Sequence, residues 1–271
     1  MRTSMTRVAI DGGQVETVVL GAGDPIALVP TALTADELLP LAERLQGRFQ
    51  VVHYHRRGYA GSSPAAPPGS VAEDAADCAR LLAALGIGRA NVLGASYSGA
   101  VALQLAVDHP DLVHTLTLVE PPPVHGPADA EFRAANAALL ADRQARGAEA
   151  AVERFLLSTM GSDWRGRLDV AVPGTSAQVR RDSRTFLDVD IPALLGWPFD
   201  VATATRVRCP VLHVSGGGHG PYFDGVGDLI HAWLPHAEQV TIAGAGHDIA
   251  LTHPDALVEV LVPFLARHPV D

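Results

Sequence analysis

Residues 92–99 constrain the fold of this chain more than any other segment, and they read Val-Leu-Gly-Ala-Ser-Tyr-Ser-Gly. Residues 91–93 have the apolar character of the end of a buried strand, and residues 100–107 form an Ala/Leu-rich stretch without a helix breaker. Ser96 is therefore predicted to lie on a tight turn between a strand and a helix. Such a turn strains the backbone of its central residue and leaves room only for small neighbours, which this segment provides.

This turn gives Ser96 the features of a nucleophile. The strain lifts its hydroxyl clear of the sheet, and the N-terminus of the following helix directs free N–H groups and the positive end of the helix dipole toward whatever the oxygen attacks. The same string of residues is also typical of ordinary strand-to-helix loops, in which the serine only caps the helix. A second residue with matching chemistry is therefore needed.

His247 supplies that chemistry. It lies at the tip of a glycine loop, after a predicted strand that ends at Ile242 and before an apolar final helix. Because the pKa of histidine lies near neutrality, its imidazole can accept the serine proton and return it to a leaving group. The chain has twelve histidines, and the position between Gly246 and Asp248 is what distinguishes His247 from the others.

Several segments, in their order along the chain, resemble the α/β-hydrolase superfamily, and the resemblance covers essentially the whole sequence. They are the third strand and oxyanion loop at residues 26–38, the fourth strand and its turn at 50–63, the serine turn at 92–99, the penultimate strand from Cys209, and the histidine loop at 244–247. The resemblance implies an α/β fold with a mostly parallel eight-stranded sheet, flanking helices and an inserted helical cap.

The predicted cap occupies residues 121–206, between core segments at residues 1–120 and 207–271 of a single structural domain. Residues 129–160 have helical periodicity, and shorter segments broken by glycine and proline follow them. Within the core, the pattern predicts a hairpin around residues 11–13 and helices at residues 36–46 and 71–85.

Substrate contacts are expected from the oxyanion loop and from the cap. The candidates are Thr31, Trp164, Trp197 and Phe199. The three aromatic residues exceed what small cap helices need and indicate a substrate with a hydrophobic body. For any one of them, packing of the cap against the core is the alternative role.

The oxyanion loop departs from the family pattern. Pro30 and Thr31 stand where the family usually has His-Gly, and Pro30 has no N–H to donate. The resemblance therefore places one oxyanion donor at the backbone N–H of Ala32 and the other at that of Tyr97, the residue after the nucleophile.

The acid of the triad is also displaced. Most relatives carry an aspartate just after the penultimate strand, but residues 215–221 contain no carboxylate and have His219 instead. A histidine cannot replace the anion that orients His247, so we expect His219 to be dispensable for proton transfer.

Some members of the family take the acid from the end of the preceding strand, where this chain has Glu120. The Glu120 carboxylate would then lie within about 3.2 Å of His247 Nδ1. Glu120 could instead cap a nearby backbone N–H, and the weaker alternative acids are Asp224, Asp228 and Asp248.

Composition excludes several classes of protein. A formal net charge of −10 without an arginine-rich stripe predicts no nucleic-acid partner. No apolar run reaches the roughly 20 residues that span a bilayer, and residues 1–7 lack the apolar run of a secretion signal. We therefore expect a cytoplasmic protein without a membrane partner, either a monomer or a homodimer.

No cofactor or metal is expected. Nucleotide and flavin motifs are missing from the sequence, and the two cysteines lack metal-ligand spacing. His53 and His55 share one face of a predicted strand, but the sequence shows no further ligand beside them.

These features predict a cofactor-independent serine hydrolase that cleaves a carboxylic ester or lactone of a small hydrophobic molecule through an acyl-enzyme. Ser96 is the expected nucleophile, His247 the base and Glu120 the acid that orients it. The same fold also hosts carbon–carbon bond hydrolases, lyases and cyclases, and a receptor-like protein with little turnover is the alternative outside enzymes.

Overall fold

The computed structural model describes residues 5–270, so the first four residues of the segment considered as a secretion signal lie outside the described residues. Its centre is one eight-stranded sheet with the strand order β1-β2-β4-β3-β5-β6-β7-β8. The strands are β1 Thr6–Ile10, β2 Gly13–Leu20, β3 Asp24–Val29, β4 Phe49–Tyr54, β5 Ala90–Ala95, β6 Val113–Val119, β7 Val211–Gly216 and β8 Glu238–Ile242. Strand β2 runs antiparallel to β1 and β4, and the remaining neighbours are parallel. The predicted sheet is confirmed.

Helices flank the sheet and fill the long segment between β6 and β7. The helices of the core are α1 Leu39–Leu45, α2 Val71–Ala84, α3 Tyr97–Asp108, α11 Val226–Trp233, α12 Ile249–Thr252 and α13 Pro254–Ala266. Those between β6 and β7 are α4 Asp129–Arg146, α5 Ala148–Met160, α6 Trp164–Ala171, α7 Thr175–Arg181, α8 Ser183–Thr185, α9 Ile191–Leu195 and α10 Val201–Ala204. A π-helical turn, Phe186–Asp190, joins α8 to α9, and a 3₁₀ turn, Pro221–Phe223, precedes α11. None of the helices within residues 5–270 is long and apolar enough to cross a membrane.

Strand periodicity divides the apolar core between the two faces of the sheet. In β3, Ala27 and Val29 pack in the core that includes α2 and α3, whereas Ile26 and Leu28 pack in the core that includes α1 and α13. Alternate residues of a strand point to opposite faces, and both faces of this central strand are covered. The sheet is thereby held rigid where its carboxyl ends form the candidate site.

The helices between β6 and β7 have a small core of their own. It contains Trp164, Leu156 and Leu187 from these helices together with Leu33 from the loop after β3. The helices predicted over residues 129–160 are confirmed as α4 and α5, which are separated at Gly147. Because Leu33 packs in this core, the helical insert contacts the loop that carries the expected oxyanion donor.

A buried ion cluster fastens the same loop to the insert. Arg56, only 2% exposed, contacts both carboxylate oxygens of Asp190 at 3.0 and 2.8 Å and Asp74 Oδ2 at 2.8 Å. Its Nε donates to the carbonyl of Pro30 at 3.1 Å. Buried charges are tolerated when they are paired and fully hydrogen-bonded, as this guanidinium is. Arg56 therefore connects the π-helical turn, α2 and the loop after β3.

Replacing Asp190 with Asn should lower the free energy of unfolding by about 3–5 kcal/mol, because it leaves the buried guanidinium without its bidentate partner. Asp188→Asn is the matched control on the same π-helical turn. Asp188 pairs with Arg143 at 2.7 Å, and both side chains are partly exposed, so its loss should cost less than about 1 kcal/mol. Urea denaturation of both variants measures the difference, and equal losses would contradict a central role for the cluster.

Candidate active site

Ser96 lies on the strained turn that the sequence predicts. It separates β5 from α3 and has φ 52° and ψ −126°, a conformation that residues with a side chain rarely adopt. A Cβ added to Gly94 would lie 2.1 Å from the backbone oxygen of Ser98, so glycine is required there. The Ser98 hydroxyl donates to the carbonyl of Ala95 at 2.9 Å and accepts its N–H at 2.8 Å. Ser98 therefore stabilises the turn.

His247 faces Ser96 from the loop between β8 and α12. Its Nε2 lies 2.9 Å from Ser96 Oγ, a normal hydrogen-bond distance. The ring of Phe223 stacks on the imidazole at a centroid distance of 4.1 Å and an interplanar angle of 28°. Phe223 could not be predicted from the sequence, because no pattern in residues 221–223 indicates that this turn reaches the histidine.

Glu120 lies on the other side of His247. It directly follows β6, its side chain is 1% exposed, and its Oε2 is 3.5 Å from His247 Nδ1. This distance exceeds the expected limit of about 3.2 Å, so the contact is longer than a well-formed hydrogen bond. The other oxygen, Oε1, accepts the N–H of Gly216 at 2.6 Å, which fixes the carboxylate.

The alternative acids do not reach His247. Asp224 is 75% exposed and lies 3.5 Å from His219 Nε2, while Asp248 faces Arg167 at 3.7 Å. Asp228 is exposed on α11. Among the carboxylates of residues 5–270, Glu120 is the one that contacts a ring nitrogen of His247.

His219 contacts Glu120 and not His247. Its Nδ1 lies 3.2 Å from Glu120 Oε1, the oxygen that also accepts the Gly216 N–H. The imidazole of His219 is thus outside the path between Ser96 and His247. Its dispensability stays a prediction, and the Gly216 contact gives the physical reason to expect it.

The expected oxyanion donors belong to segments that follow two paired strands, β3 and β5. The loop that contains Ala32 follows β3, which is paired in parallel with β5 so that Val29 is opposite Gly94. Tyr97 is the first residue of α3, where backbone N–H groups have no acceptor within the helix. Its phenol donates to Asp74 Oδ2 at 2.7 Å, which ties this residue to the Arg56 cluster. The Tyr97 side chain and the loop before Ala32, through the carbonyls of Pro30 and Thr31, therefore contact the same buried cluster.

The residues expected to contact substrate are buried. Trp164 is 0% exposed in the core of the insert, and Trp197 and Phe199 are stacked at a centroid distance of 4.5 Å in the main core. Thr31 is 3% exposed, and its carbonyl accepts a hydrogen bond from Arg56 at 3.3 Å. Such buried side chains leave little surface for a substrate, and their contact with one stays a prediction. Composition alone could not separate packing from substrate binding.

A second carboxyl group near His247 was also missed. Glu37 lies in the loop after β3 and accepts the hydroxyl of Thr34 at 2.6 Å. Burial raises the pKa of Glu37, and the charge of nearby Asp248 adds to this, against the lowering effects of Thr34 and His247. Its position in the oxyanion loop, and not any motif, is the signal that could have pointed to it.

Comparison with known proteins places this geometry in a family. Residues 35–254 match the model of the alpha/beta hydrolase fold family. The chain belongs to that family. The α/β-hydrolase fold expected from the sequence is thereby confirmed, and the turn at Ser96 and the loop at His247 both lie within the matched residues.

The individual proteins that this chain resembles have names that describe different activities. A polyketide synthase of Burkholderia thailandensis, ThaQ, is 29% identical over 94% of this chain, which spans 12% of that protein. A Caulobacter vibrioides protein with the provisional name carbamate hydrolase RutD is 28% identical over 90% of this chain and 91% of its own. The enol-lactonase of Burkholderia xenovorans LB400 superposes with a TM-score of 0.77 at 19% identity, over 96% of this chain and all of that one, which shows a shared fold.

Replacing Glu120 with Gln should preserve the fold of this α/β hydrolase and lower its turnover by roughly 10²- to 10⁴-fold, because a neutral amide does not stabilise the His247 imidazolium or fix its tautomer. His219→Ala is the matched control, since His219 contacts the same carboxylate. It should keep turnover within about tenfold, because the Gly216 N–H still holds Glu120. The measurement is kcat for both variants, and a larger loss in His219→Ala than in Glu120→Gln would show that the acid is misassigned.

Proposed function

We propose that this protein is a serine hydrolase that cleaves a carboxylic ester or lactone of a small molecule through an acyl-enzyme. One observation carries the proposal: His247 Nε2 lies 2.9 Å from the hydroxyl of Ser96, whose backbone is held in a strained turn. An imidazole at that distance can take the hydroxyl proton as the oxygen attacks a carbonyl carbon. The position of Glu120 at Nδ1 supports the same assignment, since a carboxylate there stabilises the protonated imidazole.

Formation of the acyl-enzyme requires two proton transfers, one from Ser96 to His247 and one from His247 to the leaving group. Ser96 Oγ attacks the substrate carbonyl while His247 Nε2 accepts its proton, and the carbonyl oxygen becomes an oxyanion stabilised by the N–H groups of Ala32 and Tyr97. When the tetrahedral intermediate collapses, the bond to the alkoxy group breaks and His247 returns the proton to that oxygen. Water then attacks the acyl-enzyme with His247 again acting as the base, which releases the acid and restores Ser96.

Typical magnitudes indicate what each group contributes. General base catalysis by a positioned imidazole accelerates such reactions by about 10²- to 10⁴-fold. A single oxyanion donor contributes about 10²- to 10³-fold. These contributions depend on geometry that the Ser96 turn and the loop after β3 provide together. The need to keep these groups in place explains why the buried Arg56 cluster contacts both the helix after the Ser96 turn and the loop after β3.

The choice of substrate is guided by the residues that surround His247. Phe223 covers one face of its imidazole and is itself partly exposed, so it offers an apolar surface next to the reacting groups. That surface favours an acyl group with an apolar body. Esters and lactones are the first candidates, and a carbamate, which the name of one relative mentions, presents a similar carbonyl to the nucleophile.

Ser96→Ala tests this function directly. The purified protein should hydrolyse at least one member of a panel containing an aryl ester, an aliphatic lactone and an aryl carbamate, and Ser96→Ala should lower the rate by at least about 10³-fold while keeping the melting temperature. Ser158→Ala, on the exposed face of α5, is the matched serine control and should leave turnover unchanged. Turnover by Ser96→Ala at the rate of the native protein, or no turnover of any panel member by the native protein, would contradict the proposal.

A further inference from the structure

Two histidines and a carboxylate meet at the carboxyl end of β4. His53 lies on β4 and His55 just after it, while Asp36 comes from the loop after β3. His53 Nε2 is 3.3 Å and His55 Nε2 is 2.8 Å from Asp36 Oδ1. One nitrogen or oxygen atom from each of the three side chains lies within 4.8 Å of the other two. The sequence showed the histidine pair, but the third group becomes visible only when β3 and β4 are paired.

We propose that Asp36, His53 and His55 form a binding site for a divalent transition-metal ion, with Zn²⁺ as the ion that best suits this donor set. Imidazole nitrogens and a carboxylate oxygen are the usual protein ligands of Zn²⁺. The site is separate from Ser96, Glu120 and His247, and the proposal does not depend on the function proposed above.

The two distances between Asp36 and the histidines fit such an ion. Zinc–ligand bonds of about 2.0–2.1 Å in a tetrahedral arrangement put neighbouring ligand atoms about 3.3 Å apart. The His53 contact with Asp36 has this length, and the His55 contact needs to lengthen by about half an ångström. Both imidazoles direct Nε2 toward the same oxygen, so a cation can replace the two hydrogen bonds with little movement of the rings.

The two histidines differ in the hydrogen-bond partner of Nδ1, the ring nitrogen that would not bind the ion, and this difference favours His55 as a ligand. His55 Nδ1 lies 3.1 Å from Glu16 Oε2, so this N–H can donate to a carboxylate while Nε2 binds the ion, which is the usual arrangement behind a ligating histidine. Glu16 is itself fixed by the N–H of Gly61 at 2.7 Å. His53 Nδ1 is buried without a hydrogen-bond partner among the described residues. The affinity should therefore be lower than that of a structural zinc site with fully supported ligands.

The ion has a route into the site. The two histidine side chains are 0% and 6% exposed, whereas the Asp36 side chain is 32% exposed. The ion can enter past Asp36, and water on this side can complete its coordination. Because Asp36 belongs to the same loop as Ala32, a bound ion would fasten the expected oxyanion loop to β4. Its role would be to stabilise that loop.

Metal binding can be measured on the full chain after treatment with a chelator. Calorimetric titration with Zn²⁺ should show one site in the native protein, and Co²⁺ should give the visible absorption of a site with nitrogen and oxygen ligands. Glu16→Gln should weaken binding by about 10- to 100-fold through His55, and Asp36→Asn, which removes a ligand, should weaken it by about 100-fold or more. His231→Ala, which removes an exposed histidine from α11, is the matched control and should bind like the native protein.

Two results would overturn the proposal. One is the absence of a Zn²⁺ site in the native protein, and the other is a site whose affinity is the same in Asp36→Asn, Glu16→Gln and the native protein. X-ray absorption of the zinc-loaded native protein keeps the test decisive if a variant fails to fold, because the proposal requires two imidazole ligands and no thiolate. None of these measurements uses hydrolysis, so a failure here is distinct from a failure of the proposed serine chemistry.

Discussion

The candidate active site depends on the backbone conformation of two residues, each at the end of one of two neighbouring strands. Ser96 follows β5 and Glu120 follows β6, and both have positive φ angles, of 52° and 46°. Each such conformation costs about 1–3 kcal/mol and persists only where the surrounding structure imposes it. Here the sheet does so, because the N–H of Ser96 donates to Val119 at 3.0 Å and that of Glu120 to Val214 at 2.9 Å. The hydrogen-bond ladder thus continues through both residues and fixes where their side chains leave the sheet.

A buried ion pair between Arg56 and Asp190 connects this edge of the sheet to the helical insert. Arg56 and Asp190 are 134 residues apart in the sequence, yet they form a bidentate pair in the core. The Tyr59 hydroxyl donates to Asp190 at 2.5 Å and accepts the N–H of Leu33 at 2.8 Å, so the loop after β3 is bound to the same cluster. A network of this kind is costly to break, since every member depends on its partners. It makes the position of the proposed oxyanion loop depend on the insert above it.

Local features of the sequence predicted the fold and the reacting groups. The small residues around Ser96, the glycine loop before His247 and the carboxylate after β6 each follow from a short pattern, and the structure brings these three side chains together. Long-range contacts could not be predicted in this way. The helix expected from residue 36 begins at Leu39, and the side chain of Asp36 contacts His53 and His55 instead. The burial of the cap aromatics likewise results from packing that composition does not reveal.

Labelling with a fluorophosphonate tests most directly whether His247 activates Ser96. Such a reagent reacts with an activated serine hydroxyl and not with an ordinary one. Mass spectrometry of the digested protein should locate one adduct, on Ser96, and His247→Ala should slow its formation by several orders of magnitude. An adduct on another residue, or labelling of Ser96 at the same rate without His247, would contradict the account.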